Sequence, residues 1–282
     1  MVNCKTGESL MIKKIVIPAA GLGSRLLPIT KEMPKEMMPI FLKTNDQIIV
    51  KPLIHALFEK FFQLGIREYC IIVGKQKRAI EDHFTINYDL IYNLGVKDHI
   101  RKDIEKFYTK LQNSKIFWVN QQKQDGFGDA VLHAESFVGS DEFLVSAGDT
   151  LIPNNDRLLR ELMSMRLCGK NDAIIVLKEV PDPKRFGVAV VNQKGDKLIV
   201  RNVEEKPKRP KSNLAMIALY RFKPSIFSAL NEIKRGKNEL QLTDAIQKLI
   251  ERKGNVRAIM MNKVDQVIDV GTAESYLETF KL

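Results

Sequence analysis

Cysteine and histidine are scarce in this 282-residue sequence, which contains three cysteines (Cys4, Cys70 and Cys168) and four histidines. The cysteines are widely separated and form no CxxC pair. No histidine stands at HExxH spacing or beside a cysteine. A disulfide framework and a zinc site therefore have little support. The cysteine pattern is typical of a reducing compartment, and we expect a cytoplasmic protein.

Long apolar runs are also missing, and none approaches the ~20 residues that a membrane-spanning helix needs. An integral membrane protein is not expected. Residues 1–10 lack the apolar core of a secretory signal and are predicted to form a flexible N-terminal extension. Charged residues make up 28% and hydrophobic residues 44% of the sequence, a balance that excludes wholesale disorder.

The net charge of +11 is not accompanied by a nucleic-acid-binding signature. Lysine and arginine are scattered, with one local concentration between Arg201 and Lys211. No RRM, KH or helix-turn-helix pattern is present, and no basic stripe is interleaved with aromatic residues. We therefore expect no nucleic-acid or membrane partner. The excess charge fits either a lysine-rich solvated surface or small phosphorylated substrates.

The order of the predicted elements indicates an α/β fold. An apolar run at Lys14–Ala19 predicts a buried strand, a helical pattern follows at Lys51–Leu64, and a second strand is predicted at Glu68–Val73. Asn87–Leu111 reads as a helical insertion and Asp129–Phe137 as one helix. Short strands with turn-rich connections follow residue 181. The sequence therefore predicts a mixed, mainly parallel central sheet flanked by helices.

A glycine-containing turn follows the first predicted strand directly. Gly21 and Gly23 let the backbone turn sharply and bring its N–H groups close to an anion. The Walker pattern is absent, and Leu26 occupies the third glycine position of the dinucleotide fingerprint. Arg25 and Lys35 bracket a proline-rich segment, which proline keeps stiff. Two fixed cations beside such a turn suit a polyphosphate, although a tight turn with exposed surface cations is the alternative.

The stretch AAGLGSRLLPITKEMPKEMMPI, residues 19–40, resembles the signature of the sugar-1-phosphate nucleotidylyltransferases. Its PKEM form is most similar to the bacterial and archaeal UTP–glucose-1-phosphate uridylyltransferases. The resemblance continues from Lys13 to Phe280. It implies a Rossmann-like fold of the nucleotide-diphospho-sugar transferase type in a single domain, 11–282. In that domain, 11–180 would be mainly the nucleotide-binding half and 181–282 mainly the sugar-binding half.

The resemblance also implies a set of nucleotide-binding residues. Those around the loop are Ala20, Gly21, Leu22, Gly23, Ser24, Arg25, Lys35 and Glu36, and those that would contact the uracil base are Gln121 and Gly126. A glutamine amide offers both a donor and an acceptor, and a pyrimidine edge requires both. Outside this context Gln121 would be interpreted as an ordinary polar residue at a strand end.

Two aspartates are candidate metal ligands. Asp149 ends a predicted buried strand, and ligands of open parallel sheets lie beyond the carboxyl ends of the strands. A carboxylate there is well placed for Mg²⁺, which prefers oxygen ligands and substrate phosphates. Asp269 follows another short apolar run, and the resemblance implies that the two aspartates share the metal. The alternative for Asp269 is a turn-initiating residue before glycine.

The second half of the chain supplies the sugar-phosphate candidates. Gly187 resembles the family's glycine next to the sugar, and Asn213 matches a further element of the sugar site. In the V-x-E-K-P element, Glu205 would accept hydrogen bonds from sugar hydroxyls and Lys206 would hold the sugar phosphate. Taken alone, a hairpin entry at Gly187 and an exposed turn at Glu205–Lys206 are the simpler interpretations.

Taken together, these residues predict an enzyme that joins UTP to glucose 1-phosphate and releases UDP-glucose and pyrophosphate. We expect Mg²⁺ as the cofactor, a homo-oligomer, and catalysis by Arg25, Lys35, Asp149 and Lys206. A thymidylyltransferase or another nucleotidylyltransferase is the first alternative. A nucleotide-sugar-binding regulator that kept the fold and lost turnover is the second. A nicotinamide-dependent dehydrogenase is disfavoured by the missing third glycine.

Overall fold

The computed structural model describes residues 12–44, 47–92, 95, 97–153, 155–167, 169, 171–233 and 239–281. The N-terminal extension predicted for residues 1–10 lies outside these residues, as do Cys4 and Cys168. Within the described part of the chain, no helix is both long enough and apolar enough to span a bilayer.

Thirteen strands and ten α-helices are described. The strands are β1 (Lys14–Pro18), β2 (Pro39–Thr44), β3 (Gln47–Pro52), β4 (Glu68–Val73), β5 (Lys115–Asn120), β6 (Phe143–Ser146), β7 (Thr150–Leu151), β8 (Asn171–Glu179), β9 (Gly187–Lys194), β10 (Lys197–Glu205), β11 (Leu214–Phe222), β12 (Asn255–Met260) and β13 (Ile268–Asp269). The helices are α1 (Leu53–Gln63), α2 (Arg78–His83), α3 (Tyr88–Tyr92), α4 (Asp98–Gln112), α5 (Phe127–Leu132), α6 (Glu135–Val138), α7 (Asp156–Ser164), α8 (Ser225–Glu232), α9 (Leu242–Glu251) and α10 (Ala273–Glu278).

Nine strands form the central sheet, in the order β5-β4-β1-β6-β11-β8-β12-β10-β9. β11 and β10 run opposite to the other seven strands, so the sheet is mixed but mainly parallel. This confirms the predicted fold class. Strands from both predicted halves of the chain contribute to the same sheet.

Side-chain alternation along the strands divides the core between the two faces of the sheet. On β1, Ile15 and Ile17 pack on the face covered by α1, α4 and α7, whereas Val16 packs on the face covered by α5, α8 and α9. The strands are apolar on both sides because both faces are buried, as expected for an α/β sheet. The architecture leaves the carboxyl ends of β1, β5 and β6 uncovered at one edge.

Two expectations about local structure were wrong. The predicted helix at Lys51–Leu64 begins only at Leu53, because Pro52 ends β3. β3 pairs with β2 as a separate antiparallel hairpin that the sequence reading missed. The helix predicted at Asp129–Phe137 is divided into α5 and α6. The helical insertion is confirmed as α3 and α4.

Candidate active site

A cavity of about 790 Å³ lies where the strands end, beside the glycine turn. It is lined by many of the residues predicted from the sequence: Ala20, Gly21, Leu22, Gly23, Ser24, Arg25, Lys35, Glu36, Gln121, Gly126, Asp149, Lys206 and Asp269. These residues come from distant parts of the chain. The fold therefore gathers cations and carboxylates into one cleft.

Lys35 lies across the glycine turn. It begins a 3₁₀ turn after Pro34, and a Cβ added at Gly21 would be only 3.5 Å from the Lys35 Nζ. The same ammonium forms an ion pair with the Asp149 carboxylate. Burial alone would lower the pKa of Lys35, but the carboxylates of Asp149 and Glu36 outweigh burial and raise the pKa above its usual value. Lys35 therefore stays charged beside the turn.

Glu36 follows Lys35 on the same 3₁₀ turn and is 1% exposed. Its Oε2 accepts a hydrogen bond from the Lys77 Nζ at 2.7 Å, and Lys77 is itself buried. Burial raises the pKa of Glu36. A Cβ added at Gly148 would lie 3.2 Å from the Glu36 Cγ, so this side chain also packs under the segment that carries Asp149.

Asp149 and Asp269 are brought together by the short β7–β13 pairing. Thr150 pairs with Asp269, and the Val270 N–H donates to the Asp149 carbonyl oxygen at 3.0 Å. Burial and the Asp149 charge raise the pKa of Asp269 to about 6. Two adjacent hard oxygen donors whose charges repel one another suit a divalent cation that completes its shell with water and substrate phosphates. The described residues contain no cluster of three metal-ligating side chains.

Gln121 lies at the end of the cleft that is predicted to bind the nucleotide base, called the base end below. It follows β5 and is 2% exposed. Its Nε2 donates to Asp129 Oδ2 at 2.8 Å and to the Gly126 carbonyl oxygen at 3.3 Å. Gly126 has a φ of +108°, and a Cβ there would lie 2.5 Å from the Leu240 carbonyl oxygen. Only glycine fits this close approach between the α5 entry and the segment that leads into α9.

In the second half of the chain, Glu205 and Gly187 are paired residues of β10 and β9. The Glu205 Oε2 accepts from the Thr243 hydroxyl at 2.6 Å and would lie 3.1 Å from a Cβ at Gly187. Lys206 follows with a φ of +42°, a conformation that costs on the order of 1–3 kcal/mol for a non-glycine residue. Its Nζ lies 3.4 Å from the Glu205 Oε1, and its side chain lines the cavity.

Gly187, Glu205 and Asn213 are not among the residues that line the cavity. Glu205 precedes Lys206 in the chain, and Gly187 pairs with Glu205 across the sheet, so both lie next to Lys206. Asn213 is further away because its amide is exposed and donates to Glu179 Oε1 at 2.7 Å, at the entry to β11. The structure therefore does not bring the Asn213 side chain to the predicted sugar site.

The cavity also contains residues that the sequence reading did not select. Arg185 precedes the Phe186-Gly187 element, and Glu239 and Gln241 lie just before α9. Gln124 and the first residues of α10 complete the wall. An arginine directly before a predicted sugar-site element was the available signal for Arg185.

Comparison with known families settles the chain's membership. Residues 14–282 match the family model described as nucleotidyl transferase. The chain belongs to the nucleotidyl transferase family. The resemblance drawn from the glycine-turn stretch is thereby confirmed.

Individual relatives agree with this assignment. The chain is 40% identical over 247 residues to the UTP–glucose-1-phosphate uridylyltransferase of Staphylococcus epidermidis, covering 84% of this chain and 81% of the relative. It is 36% identical over 276 residues to that of Mycoplasma genitalium, covering 95% and 90%. A crystal structure of UDP-glucose pyrophosphorylase complexed with UDP-glucose superposes with a TM-score of 0.81 at 30% identity, covering 96% of this chain and 98% of that one.

Proposed function

We propose that this nucleotidyl transferase family member transfers a uridylyl group from UTP to glucose 1-phosphate, giving UDP-glucose and pyrophosphate. The observation that carries the proposal is the convergence of Arg25, Lys35 and Lys206 with Asp149 and Asp269 on one cavity. Its relatives named UTP–glucose-1-phosphate uridylyltransferase support the choice of substrates.

In the reaction, an oxygen of the sugar phosphate attacks the α-phosphorus of UTP in line. The new oxygen–phosphorus bond forms as the bond from the α-phosphorus to the bridging oxygen breaks, and pyrophosphate leaves with that oxygen. The attacking phosphate oxygen is already ionised at neutral pH, so the reaction needs no general base. The protein's contribution is to position the substrates and neutralise their charge.

Each cation has a separate task in this scheme. Arg25 and Lys35, on either side of the glycine turn, hold the triphosphate and then the departing pyrophosphate. Lys206 holds the sugar phosphate, which offsets the repulsion between two anionic substrates. By comparison with a lost oxyanion-hole donor, each contact contributes ~2–4 kcal/mol in the transition state.

Asp149 and Asp269 would hold Mg²⁺, which supplies further charge neutralisation on the substrate phosphates when bound. Lys35 is ion-paired to Asp149 in the structure. We infer that this ammonium keeps the Asp149 carboxylate in place and would be available to the triphosphate if Asp149 and Asp269 held Mg²⁺.

Glu205 lies next to Lys206 and is held by the Thr243 hydroxyl. We assign it to the sugar hydroxyls, with Gly187 leaving room for its carboxylate. Asn213 would have to leave Glu179 to take part, so its assigned role depends on a rearrangement of its side chain. We also propose that the protein forms a homo-oligomer, as expected from the sequence.

Pyrophosphate release tests this function. The protein is incubated with Mg²⁺, each of UTP, dTTP, CTP, GTP and ATP, and either glucose 1-phosphate or galactose 1-phosphate. We expect UTP with glucose 1-phosphate to give the highest kcat/KM. Asp149→Asn should lower kcat roughly 100-fold or more, whereas Asp196→Asn, in the exposed β9–β10 turn, should leave it unchanged.

A higher kcat/KM with dTTP would favour the thymidylyltransferase alternative. Tight UDP-glucose binding without pyrophosphate release from any pair would favour the regulator. Equal activity of Asp149→Asn and wild-type protein would remove Asp149 from the mechanism.

A further inference from the structure

We propose that Asp129 is a positioning residue for base recognition. Its buried carboxylate fixes the orientation of the Gln121 amide, so that the base end of the cleft accepts uracil or thymine and rejects cytosine. The inference deepens the proposed function and rests on it, because it assumes that a pyrimidine nucleotide occupies this cleft.

The geometry around Asp129 supports a fixed orientation. Asp129 lies in the first turn of α5, and both Asp129 and Gln121 are 2% exposed. Asp129 Oδ2 accepts from the Gln121 Nε2 at 2.8 Å, and the Gly126 carbonyl oxygen accepts from the same nitrogen at 3.3 Å. The His133 Nδ1 lies 3.6 Å from the same carboxylate oxygen and 2.8 Å from the Asp129 carbonyl oxygen.

These bonds use both N–H groups of the amide. An ionised carboxylate and a carbonyl oxygen can only accept hydrogen bonds, so a flipped amide would place the Gln121 Oε1 against two acceptors. Burying acceptors against one another without a donor is costly, because each group loses its hydrogen bonds to water and gains none in return. The orientation with Nε2 towards Asp129 is therefore the only satisfied one.

The remaining polar atom is the Gln121 Oε1. Among the described residues no side chain or backbone donor forms a hydrogen bond to it, and Gln121 lines the cavity. The amide therefore offers the cleft an acceptor and no donor. This differs from the prediction that Gln121 would serve a pyrimidine edge with both groups.

An acceptor at this position distinguishes the pyrimidines by their ring nitrogen. Uracil and thymine carry an N3–H group that can donate to Oε1. The N3 of cytosine is an unprotonated acceptor, so it would face Oε1 without a hydrogen between them. A site that uses buried polar groups in this way rejects the mismatched analogue strongly, because those groups are left unpaired.

The decisive variant is Asp129→Asn. Asparagine has nearly the same size but can offer Gln121 either its oxygen or its NH₂ group, so residue 129 no longer excludes the flipped amide and only the weaker contact with the Gly126 carbonyl oxygen opposes it. We expect the ratio of kcat/KM for UTP to that for CTP to fall at least 10-fold. The same loss should appear in the ratio of UDP to CDP affinity measured by calorimetry, which requires no turnover.

A matched control and a second variant complete the test. Asp125→Asn makes the same chemical change on the same segment, but the Asp125 carboxylate pairs with Lys123 at 2.9 Å and does not contact Gln121. It should keep the wild-type ratio. Gln121→Met removes the amide at similar volume and should lower the UDP-to-CDP ratio by at least as much as Asp129→Asn. Adding Asp129→Asn to Gln121→Met should then change the ratio no further.

The outcomes separate the two proposals. A folded Asp129→Asn protein with the wild-type UDP-to-CDP ratio overturns the positioning role. Should that variant fail to fold, a wild-type ratio in Gln121→Met overturns it instead. A wild-type protein that binds neither UDP nor UTP overturns the proposed function and this inference together.

Discussion

The Lys77 ammonium donates at 2.7 Å to Oε2 of Glu36, the residue that follows Lys35 on the same 3₁₀ turn. Both side chains are almost fully buried, at 6% and 1% exposure. Removing two charges from water is costly, and only their close pairing offsets the cost. Lys77 therefore offsets the cost of burying the Glu36 carboxylate next to Lys35.

Replacing Lys77 with methionine should destabilise the protein strongly. The change leaves Glu36 buried and unpaired, which costs about 3–5 kcal/mol in comparable cases. Adding Glu36→Gln should recover most of that loss, because the buried pair then carries no charge. Urea unfolding measures all three free energies. The control is Lys75→Met, which changes an exposed lysine two residues before Lys77. A Lys77→Met variant as stable as this control would show that the pair contributes little.

Turnover should depend on Lys35 and not on the nearby Lys31. Lys35→Ala removes the cation that lies across the glycine turn, so we expect kcat to fall roughly 100-fold or more. Lys31→Ala removes an exposed ammonium of the same loop, whose nearest acidic partner is Glu32 at 3.7 Å. Steady-state pyrophosphate release measures both variants. Near-normal turnover by a correctly folded Lys35→Ala protein would exclude Lys35 from the mechanism.

Stability should decline in mild acid because of a histidine pair outside the cleft, in which His55 is buried and His83 is half-buried. The His55 Nδ1 and His83 Nε2 lie 3.1 Å apart, between α1 and α2. Burial, with a smaller effect of His55, lowers the pKa of His83 to about 4. The unfolded chain protonates His83 near pH 6.5, whereas the native protein resists until about pH 4. The stabilisation is therefore complete above pH 6.5 and is lost as the pH falls towards 4.

Unfolding free energies at pH 7 and pH 4.5 test this expectation. The His83→Gln variant should lose about 2 kcal/mol less between these pH values than the wild-type protein, because two pKa units of differential protonation are removed. Hydrogen bonds from His55, Lys110 and Lys51 outweigh burial and lower the pKa of Glu59. Protonation of Glu59 therefore also lowers stability in acid, both in the wild-type protein and in the His83→Gln variant. His99→Gln, on the exposed side of α4, is the control. Parallel pH profiles for all three proteins would contradict the assignment.

The sequence predicted the sheet and the positions of the glycine turn and Asp149 at its edge, because their signals are local. The glycine turn and Asp149 each follow an apolar strand, and a parallel sheet places the ends of such strands at one edge. The resemblance added Asp269 and Lys206, whose surroundings depend on pairings between distant segments. Asp269 approaches Asp149 only because β13 pairs with β7.

Other features could not be predicted because they depend on tertiary contacts. Lys77 is one lysine among many until Glu36 is found 2.7 Å away. The acceptor-only role of Gln121 depends on the Asp129 carboxylate, eight positions along the chain and on the following helix. The β2–β3 hairpin was missed because Lys51 and Pro52 were interpreted as the start of α1. The run of β-branched residues Ile48, Ile49 and Val50 was the available strand signal, but its place in the fold was not.

Arg185 should take part in substrate binding although it was not among the residues predicted from the sequence. It lies on the 3₁₀ turn before Gly187 and lines the cavity, and its charge acts on the Asp269 carboxylate. A guanidinium here can contact a phosphate oxygen with two N–H groups. We expect Arg185→Ala to lower kcat/KM for glucose 1-phosphate about 10-fold, the equivalent of one such contact at 1.4 kcal/mol.

Lys184 provides the matched control for this prediction, because it is an exposed cation on the same turn that does not line the cavity. Lys184→Ala should leave kcat/KM unchanged. If Arg185 instead binds the departing pyrophosphate, its loss will weaken product inhibition by pyrophosphate and leave KM for glucose 1-phosphate unaltered. Initial rates measured with and without added pyrophosphate separate these two roles. Equal kinetics for the Lys184 and Arg185 variants would show that Arg185 touches neither anion.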